Sequence, residues 1–126
     1  MEASIIDKIA NEKPIKIARG NVVSIGKIEI KKTSDFDYDL QLLSFLDIKE
    51  SDTSFVSTCI DLRIDGYGDT IEKAENDMIE SIVYFLHKNF SLLSHNDAWK
   101  NIKKLYKSDE WSKELWDAYF KVNYNK

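Results

Sequence analysis

The chain has 126 residues, of which 43% are hydrophobic and 32% charged, a composition typical of a folded globular domain. Its formal net charge of −4 argues against general nucleic-acid binding, because that activity needs a basic surface. No apolar run approaches the roughly 18 residues of a membrane span. The one cysteine, Cys59, excludes an intrachain disulfide and any cysteine-based zinc cluster. We therefore expect a cytoplasmic protein with no cofactor and no membrane association.

The acidic side chains are concentrated in the middle of the chain. Residues 34–81 carry thirteen acidic and three basic side chains, whereas residues 1–33 and 82–126 each carry a net charge of +3. If these carboxylates share a surface, that surface attracts a basic partner. A charged surface that only keeps the protein soluble is the alternative.

The apolar pattern of the first half predicts a sheet preceded by a short helix. Ile5, Ile6 and Ile9 are spaced as on a helix, and Gly20-Asn21 is a typical two-residue hairpin loop. Residues 40–46 place apolar side chains on both faces of a strand, which favours a central strand. The predicted elements, in order, are a helix over 4–12, strands over 15–19, 22–32, 40–46 and 55–60, and turns over 33–37 and 49–52.

The second half predicts three helices. Asp69 and Glu72 are spaced as in a capping box, in which the Asp69 carboxylate accepts a hydrogen bond from the backbone N–H of Glu72. The helix that begins there extends to about Phe90, and shorter helices are predicted from about residue 97 and residue 111. Their apolar stripes are Ile71, Ala74, Met78, Ile82, Phe85 and Leu86, then Trp99, Ile102 and Leu105, then Trp111, Leu115, Ala118, Tyr119 and Val122.

These elements predict an α+β fold in a single domain over residues 1–126. An antiparallel sheet of four or five strands carries a long helix packed on one face, with two short C-terminal helices beside it. The core is expected over about 22–90 and a helical extension over 97–126. Gly66 and Gly68 are expected to supply a positive φ where the last strand reverses into the long helix.

A strand, a short glycine loop and a capped helix follow one another in the middle of the chain. The residues are Phe55-Val56-Ser57, Asp61-Leu62, Gly68-Asp69-Thr70, Glu72-Lys73-Ala74, Asn76 and the apolar stripe to Leu86. In this order the segment, roughly residues 38–87, resembles the HicB-like antitoxin domain. The resemblance implies a small β-sheet with a helix on one face and no catalytic activity. It also implies that the chain binds and blocks a small basic toxin that cleaves messenger RNA.

The C-terminal part gives no sign of the DNA-binding segment that often accompanies such a domain. Residues 97–126 show neither a ribbon-helix-helix pattern nor a helix-turn-helix pattern. Direct nucleic-acid binding and repression of its own operon are therefore not expected.

The glycine loop also provides the candidate contact residues. We expect Asp61, Asp65, Tyr67 and Glu72 to bind the basic protein partner, because a loop held by two glycines would project them from a rigid sheet. Asp69 is assigned to capping. This interpretation is of a binding protein with no catalytic residue and no metal.

Two other classes of function stay open at this point. Asp61, Asp65 and Asp69 recur every four residues and would suit a metal-dependent hydrolase or nuclease. Alternatively, Trp111, Trp116 and Phe120 would make the C-terminal helix the interface of a homo-oligomeric regulatory or structural module. His87 and His95 have no ligand at a useful spacing, and Cys59 is expected to be a buried, inert thiol.

Overall fold

Five segments pair in chain order into one antiparallel meander, and two helices pack against it. The structure is a computed structural model in which residues 2–31, 41–90 and 110–124 are described. The strands are β1 (Glu2–Ile17), β2 (Gly20–Lys31), β3 (Gln41–Ser51), β4 (Ser54–Cys59) and β5 (Ile64–Gly68), and the helices are α1 (Ile71–Phe90) and α2 (Glu110–Tyr124). The predicted α+β fold is confirmed. The turn predicted over 33–37 and the helix predicted from residue 97 lie outside the described residues.

The two faces of the sheet bury separate clusters of apolar side chains. Neighbouring residues of a strand point to opposite faces, so Phe45 and Leu46 of β3 belong to different faces. Phe45 packs in a cluster with Met78 of α1, whereas Leu46 packs in a cluster with Leu115 of α2. The two helices therefore cover opposite faces of the sheet, and the expectation that they lie beside each other is wrong.

The N-terminal segment is a strand, and the helix predicted over residues 4–12 is wrong. Ile5 and Ile9 of β1 lie opposite Ile28 and Ile25 of β2. The spacing of the isoleucines favours a helix only in isolation, because pairing along β2 gives the backbone and the apolar side chains partners from another part of the chain. Such tertiary pairing overrides a weak local preference.

The first hairpin turns two residues earlier than predicted. Ile17 pairs with Gly20, so the loop consists of Ala18 and Arg19, and the predicted two-residue loop is the start of β2. Gly20 has a φ of 155°, and a Cβ at this position would collide with the backbone carbonyl of Lys49. The close approach of β3 therefore requires this glycine.

The glycine loop expected after β4 is largely a fifth strand, β5. Gly66 lies opposite Ser57 and does not have a positive φ. A Cβ at Gly66 would collide with the backbone of Ala74 and Met78, and one at Gly68 would lie 2.7 Å from the backbone nitrogen of Ala74. The two glycines thus allow α1 to pack closely on β5, rather than supplying the positive φ that was predicted.

The long helix begins where predicted, but a different side chain closes its first turn. Thr70 Oγ1 accepts a hydrogen bond of 3.1 Å from the N–H of Lys73, so Thr70 is the N-cap of α1. Asp69, the predicted cap, forms an ion pair of 3.0 Å with the Lys73 ammonium. The hydrogen bond from Lys73 and its charge lower the pKa of Asp69.

Most residues of the predicted apolar stripes of the two described helices are core, whereas Ile71, Phe85 and Trp111 are partly buried. The fully or nearly fully buried residues among them are Ala74, Met78, Ile82 and Leu86 of α1 and Leu115, Ala118, Tyr119 and Val122 of α2. Within the described ranges, neither helix combines the length and apolar character needed to cross a membrane.

We expect Gly66→Ala to lower the free energy of unfolding by about 2–3 kcal/mol, because the added methyl group meets helix backbone that has little freedom to move. Urea denaturation followed by circular dichroism measures the change. Asn76→Ala, at an exposed position of the same helix, is the control and should shift stability by less than about 0.5 kcal/mol. Equal stability of Gly66→Ala and the wild type would contradict the close packing of α1 on β5.

Candidate partner-binding surface

Arg19, in the turn between β1 and β2, gathers several of the predicted contact residues. Its Nη1 donates to Asp65 Oδ2 at 2.9 Å and its Nη2 donates to the Tyr67 hydroxyl at 3.1 Å. Its Nε lies 3.8 Å from Glu50 Oε2. The guanidinium carbon is 5.8 Å from the ring centroids of both Tyr67 and Trp111, within the range of a cation–π contact. The structure thus brings Asp65, Tyr67 and Trp111 together around a cation that the sequence patterns did not indicate.

This cluster gives Asp65 and Tyr67 different roles. The carboxylate of Asp65 is 27% exposed and its charge is balanced by Arg19, so it adds little net negative potential to the surface. Tyr67 is 54% exposed and stands on a short strand that is held by β4 on one side. A large, rigidly placed aromatic side chain of this kind is typical of an interface anchor.

Asp61 has a role inside the fold. Its Oδ2 accepts a hydrogen bond of 2.6 Å from the backbone N–H of Ser44, while the N–H of Ile60 donates to the Ser44 carbonyl at 2.9 Å. Burial raises the pKa of Asp61. The carboxylate joins the end of β4 to β3. Because it is engaged within the fold, Asp61 is not part of the proposed surface.

Glu72 lies on the exposed side of α1 together with two other acidic residues. We call this side, which carries Glu72, Asp77 and Glu80, the acidic helix surface. The Asp77 carboxylate accepts a hydrogen bond of 2.9 Å from the backbone N–H of Tyr67, and this contact joins β5 to the helix. The one cation between them, Lys73, is paired with an aspartate that precedes the helix. The acidic helix surface and Tyr67 are therefore continuous around the edge of the sheet.

The three aspartates of the hydrolase hypothesis each have a separate partner. Asp61 accepts from the backbone of β3, Asp65 pairs with Arg19, and Asp69 pairs with a lysine of α1. Across residues 2–31, 41–90 and 110–124, no group of three histidine, cysteine, aspartate or glutamate side chains is arranged to hold a metal ion. The predicted metal cluster is therefore not formed.

The other reactive side chains considered from the sequence have no catalytic setting in the described structure. Cys59 is completely buried in β4, and burial strongly raises the pKa of its thiol, which keeps it protonated. His87 is exposed near the end of α1. His95 lies outside the described residues.

The three predicted interface residues of the C-terminal helix occupy two places. Trp111 is at the start of α2 and lies beside Arg19. One to two turns later, the rings of Trp116 and Phe120 stack with centroids 5.6 Å apart, and Tyr119 meets Trp116 edge-on at 5.7 Å. Phe120 is 48% exposed.

A buried polar network that sequence analysis missed links four strands to α1. Asp47 of β3, 1% exposed, accepts hydrogen bonds of 2.6 Å from the hydroxyls of Ser24 in β2 and Ser57 in β4. The ammonium of Lys8 in β1 lies 3.6 Å from Asp47 Oδ2 and 2.8 Å from Oε2 of Glu75 in α1. The contact with Glu75 is an ion pair without hydrogen-bond alignment. The network fixes the helix that carries the acidic helix surface.

Two buried carboxylates in this network face one ammonium group. Burial, followed by the nearby Glu75 carboxylate, raises the pKa of Asp47 from its ordinary 3.8 to about 7. Burial lowers the pKa of Lys8, but the ion pair with Glu75 and the charge of Asp47 outweigh this effect and leave that pKa above its ordinary value. Asp47 therefore holds a proton in mildly acidic solution.

Part of this network could have been found from the sequence. Asp47 is a charged residue directly after the seven mostly apolar positions of the predicted central strand, and a charge in that place needs a buried partner. Which side chains are its partners depends on the strand register, and the sequence pattern does not specify that register.

Comparison of this chain with protein-family models, with curated proteins and with solved structures finds no match. The resemblance of residues 38–87 to the HicB-like antitoxin domain therefore stays a prediction.

We expect the free energy of unfolding to fall as the pH rises from about 4 to about 7. Asp47 binds a proton more tightly in the folded state, so its contribution is complete below pH 4 and is lost as the pH passes its folded pKa. The slope reaches about 1.4 kcal/mol per pH unit for one proton. Urea unfolding of Asp47→Asn at a series of pH values should lack this slope, and the exposed control Asp52→Asn should keep it. Parallel curves for Asp47→Asn and the wild type would contradict the proton held at this site.

Proposed function

We propose that this protein binds a small basic protein partner through the acidic helix surface and Tyr67, in the manner of a HicB-like antitoxin. The observation that carries the proposal is the position of the exposed acidic residues. Glu72, Asp77 and Glu80 share one exposed side of α1, and the cation among them, Lys73, is already paired with Asp69. A surface with this excess of carboxylates attracts a basic partner and accelerates its association.

Tyr67 supports the proposal by providing an apolar anchor beside the carboxylates. Electrostatic attraction between exposed groups contributes mainly to the association rate and is weakened by salt, so a stable complex needs buried contacts as well. Tyr67 is half exposed, its hydroxyl is held by Arg19, and its backbone is held by Asp77. Little side-chain freedom is lost when such a residue becomes buried by a partner.

The architecture is also compatible with the resemblance. A HicB-like domain implies a small antiparallel sheet with a helix on one face, and residues 41–90 of this chain form three antiparallel strands followed by α1. The hydrolase alternative has no such support, because its three aspartates are separately engaged.

The double variant Glu72→Lys/Glu80→Lys should weaken binding of the small basic protein encoded by the neighbouring reading frame by at least about tenfold, because two charges are reversed at the proposed interface. Isothermal titration calorimetry at two salt concentrations measures the affinity, and the wild-type complex should weaken as salt rises. Glu2→Lys/Glu12→Lys makes the same change of charge on exposed positions of β1, at the opposite edge of the sheet, and is the matched control.

Three outcomes would count against the proposal. The first is that the neighbouring frame encodes no small basic protein, and the second is that its product does not bind this chain. The third is that the control variant weakens binding as much as the α1 variant. In the last case, binding would depend on net charge and not on the acidic helix surface.

Tyr67→Ala should weaken the same complex by about tenfold or more, the effect expected when an anchor residue is truncated. Tyr124→Ala removes a ring that is 84% exposed on α2 and should leave the affinity within about twofold of the wild type, as expected away from the interface. Comparable losses for the two variants would remove Tyr67 from the interface.

A further inference from the structure

A groove of about 310 Å³ lies on the face of the sheet opposite α1. On the sheet side it is lined by Ile9 and Ile25, and on the helix side by Trp116, Tyr119 and Phe120. It belongs to a different part of the molecule from the acidic helix surface, because α1 and α2 cover opposite faces. Both apolar and polar side chains line the groove, which is partly open to solvent.

Exposed apolar side chains continue this groove across the surface. Phe120 is 48% exposed although its ring stacks on Trp116. Leu42 of β3 is 47% exposed, and it lies on the same face of its strand as Ser44, which also lines the groove. A run of exposed apolar groups of this kind is typical of a surface that another protein covers.

Two opposite charges border the groove. Asp7 of β1 and Lys27 of β2 face each other directly in the strand register, and both line the groove. Both are exposed, and within the described part of the chain neither forms an ion pair. When two copies of this surface face each other, the acidic group of one copy can pair with the basic group of the other.

We propose that a second copy of this chain covers the groove in a two-fold symmetric dimer. A two-fold interface uses the same patch from both copies and must therefore be self-complementary. This patch has the required pairs, since Asp7 of one copy can face Lys27 of the other, and Phe120 of each copy can enter the groove of the other. The arrangement leaves the acidic helix surfaces exposed, so a dimer would hold two basic partners.

Analytical ultracentrifugation of the full chain over about 1 to 300 µM tests the dimer, because that range covers the affinities of weak and moderate interfaces. The wild type should sediment as a dimer at the upper end. Phe120→Ser should raise the dissociation constant at least about tenfold. Tyr124→Ser, which also removes an exposed ring of α2 but lies outside the groove, should leave it within about twofold of the wild-type value. Thermal unfolding of each variant distinguishes loss of the dimer from loss of the fold.

A charge exchange tests the orientation of the two copies. Asp7→Lys and Lys27→Asp should each weaken the dimer, because each brings like charges together, and the combined variant Asp7→Lys/Lys27→Asp should restore the wild-type dissociation constant. A wild type that stays monomeric at every concentration, a dimer that is insensitive to Phe120→Ser, or a combined variant weaker than both single variants would overturn the proposal. A monomer that binds a small aromatic molecule at the groove would assign it to a different occupant.

Discussion

The fold depends on the pairing of one buried carboxylate. Asp47 is in the central strand and is 1% exposed, so both of its oxygens need partners within the protein. Ser24 and Ser57 donate to it from the two neighbouring strands, and Lys8 and Glu75 complete the network from the edge strand and the helix. Because Lys8 is one third exposed, its attraction to these carboxylates is partly screened by solvent, and the hydrogen bonds from the two serines are the fully buried part of the network. The register of β1 to β4 and the position of α1 are therefore specified by the same group of side chains.

The position of α1 then determines which carboxylates reach solvent. Glu75 is turned toward the sheet, and helical geometry places the acidic residues at 72, 77 and 80 on the outward side. Gly66 allows the helix to approach β5, where Asp77 accepts a hydrogen bond from Tyr67. That bond occupies a backbone donor on the open edge of β5, which would otherwise be available to another strand. The contact that protects the edge also joins Tyr67 to the acidic helix surface.

Sequence patterns predicted the elements whose signals are local. The alternation in β2, the apolar run of β3 and the stripes of both described helices depend on residues close together in the chain. The first half of β1 was predicted incorrectly because its isoleucines acquire strand partners only from β2. The sequence pattern did not predict β5, because two of its five residues are glycines and glycine normally weakens a strand. The contact of Arg19 with Asp65 spans 46 residues, and a lone arginine in a hairpin turn carries no pattern that predicts it.

The acidic middle of the chain is not one surface, although its charge of −10 suggested that it was. Asp47 and Glu75 are buried in the network, Asp61 holds the backbone of β3, and Asp65 is balanced by Arg19. These four carboxylates stabilise the fold and add little to the field outside it. Among the described residues, the exposed acidic side chains of this segment that form no ion pair are those of α1, because an amphipathic helix must be polar on its outer side. The attraction that we propose for a basic partner would therefore come from a small part of the acidic segment, so it should be sensitive to a few substitutions on α1 and insensitive to most others.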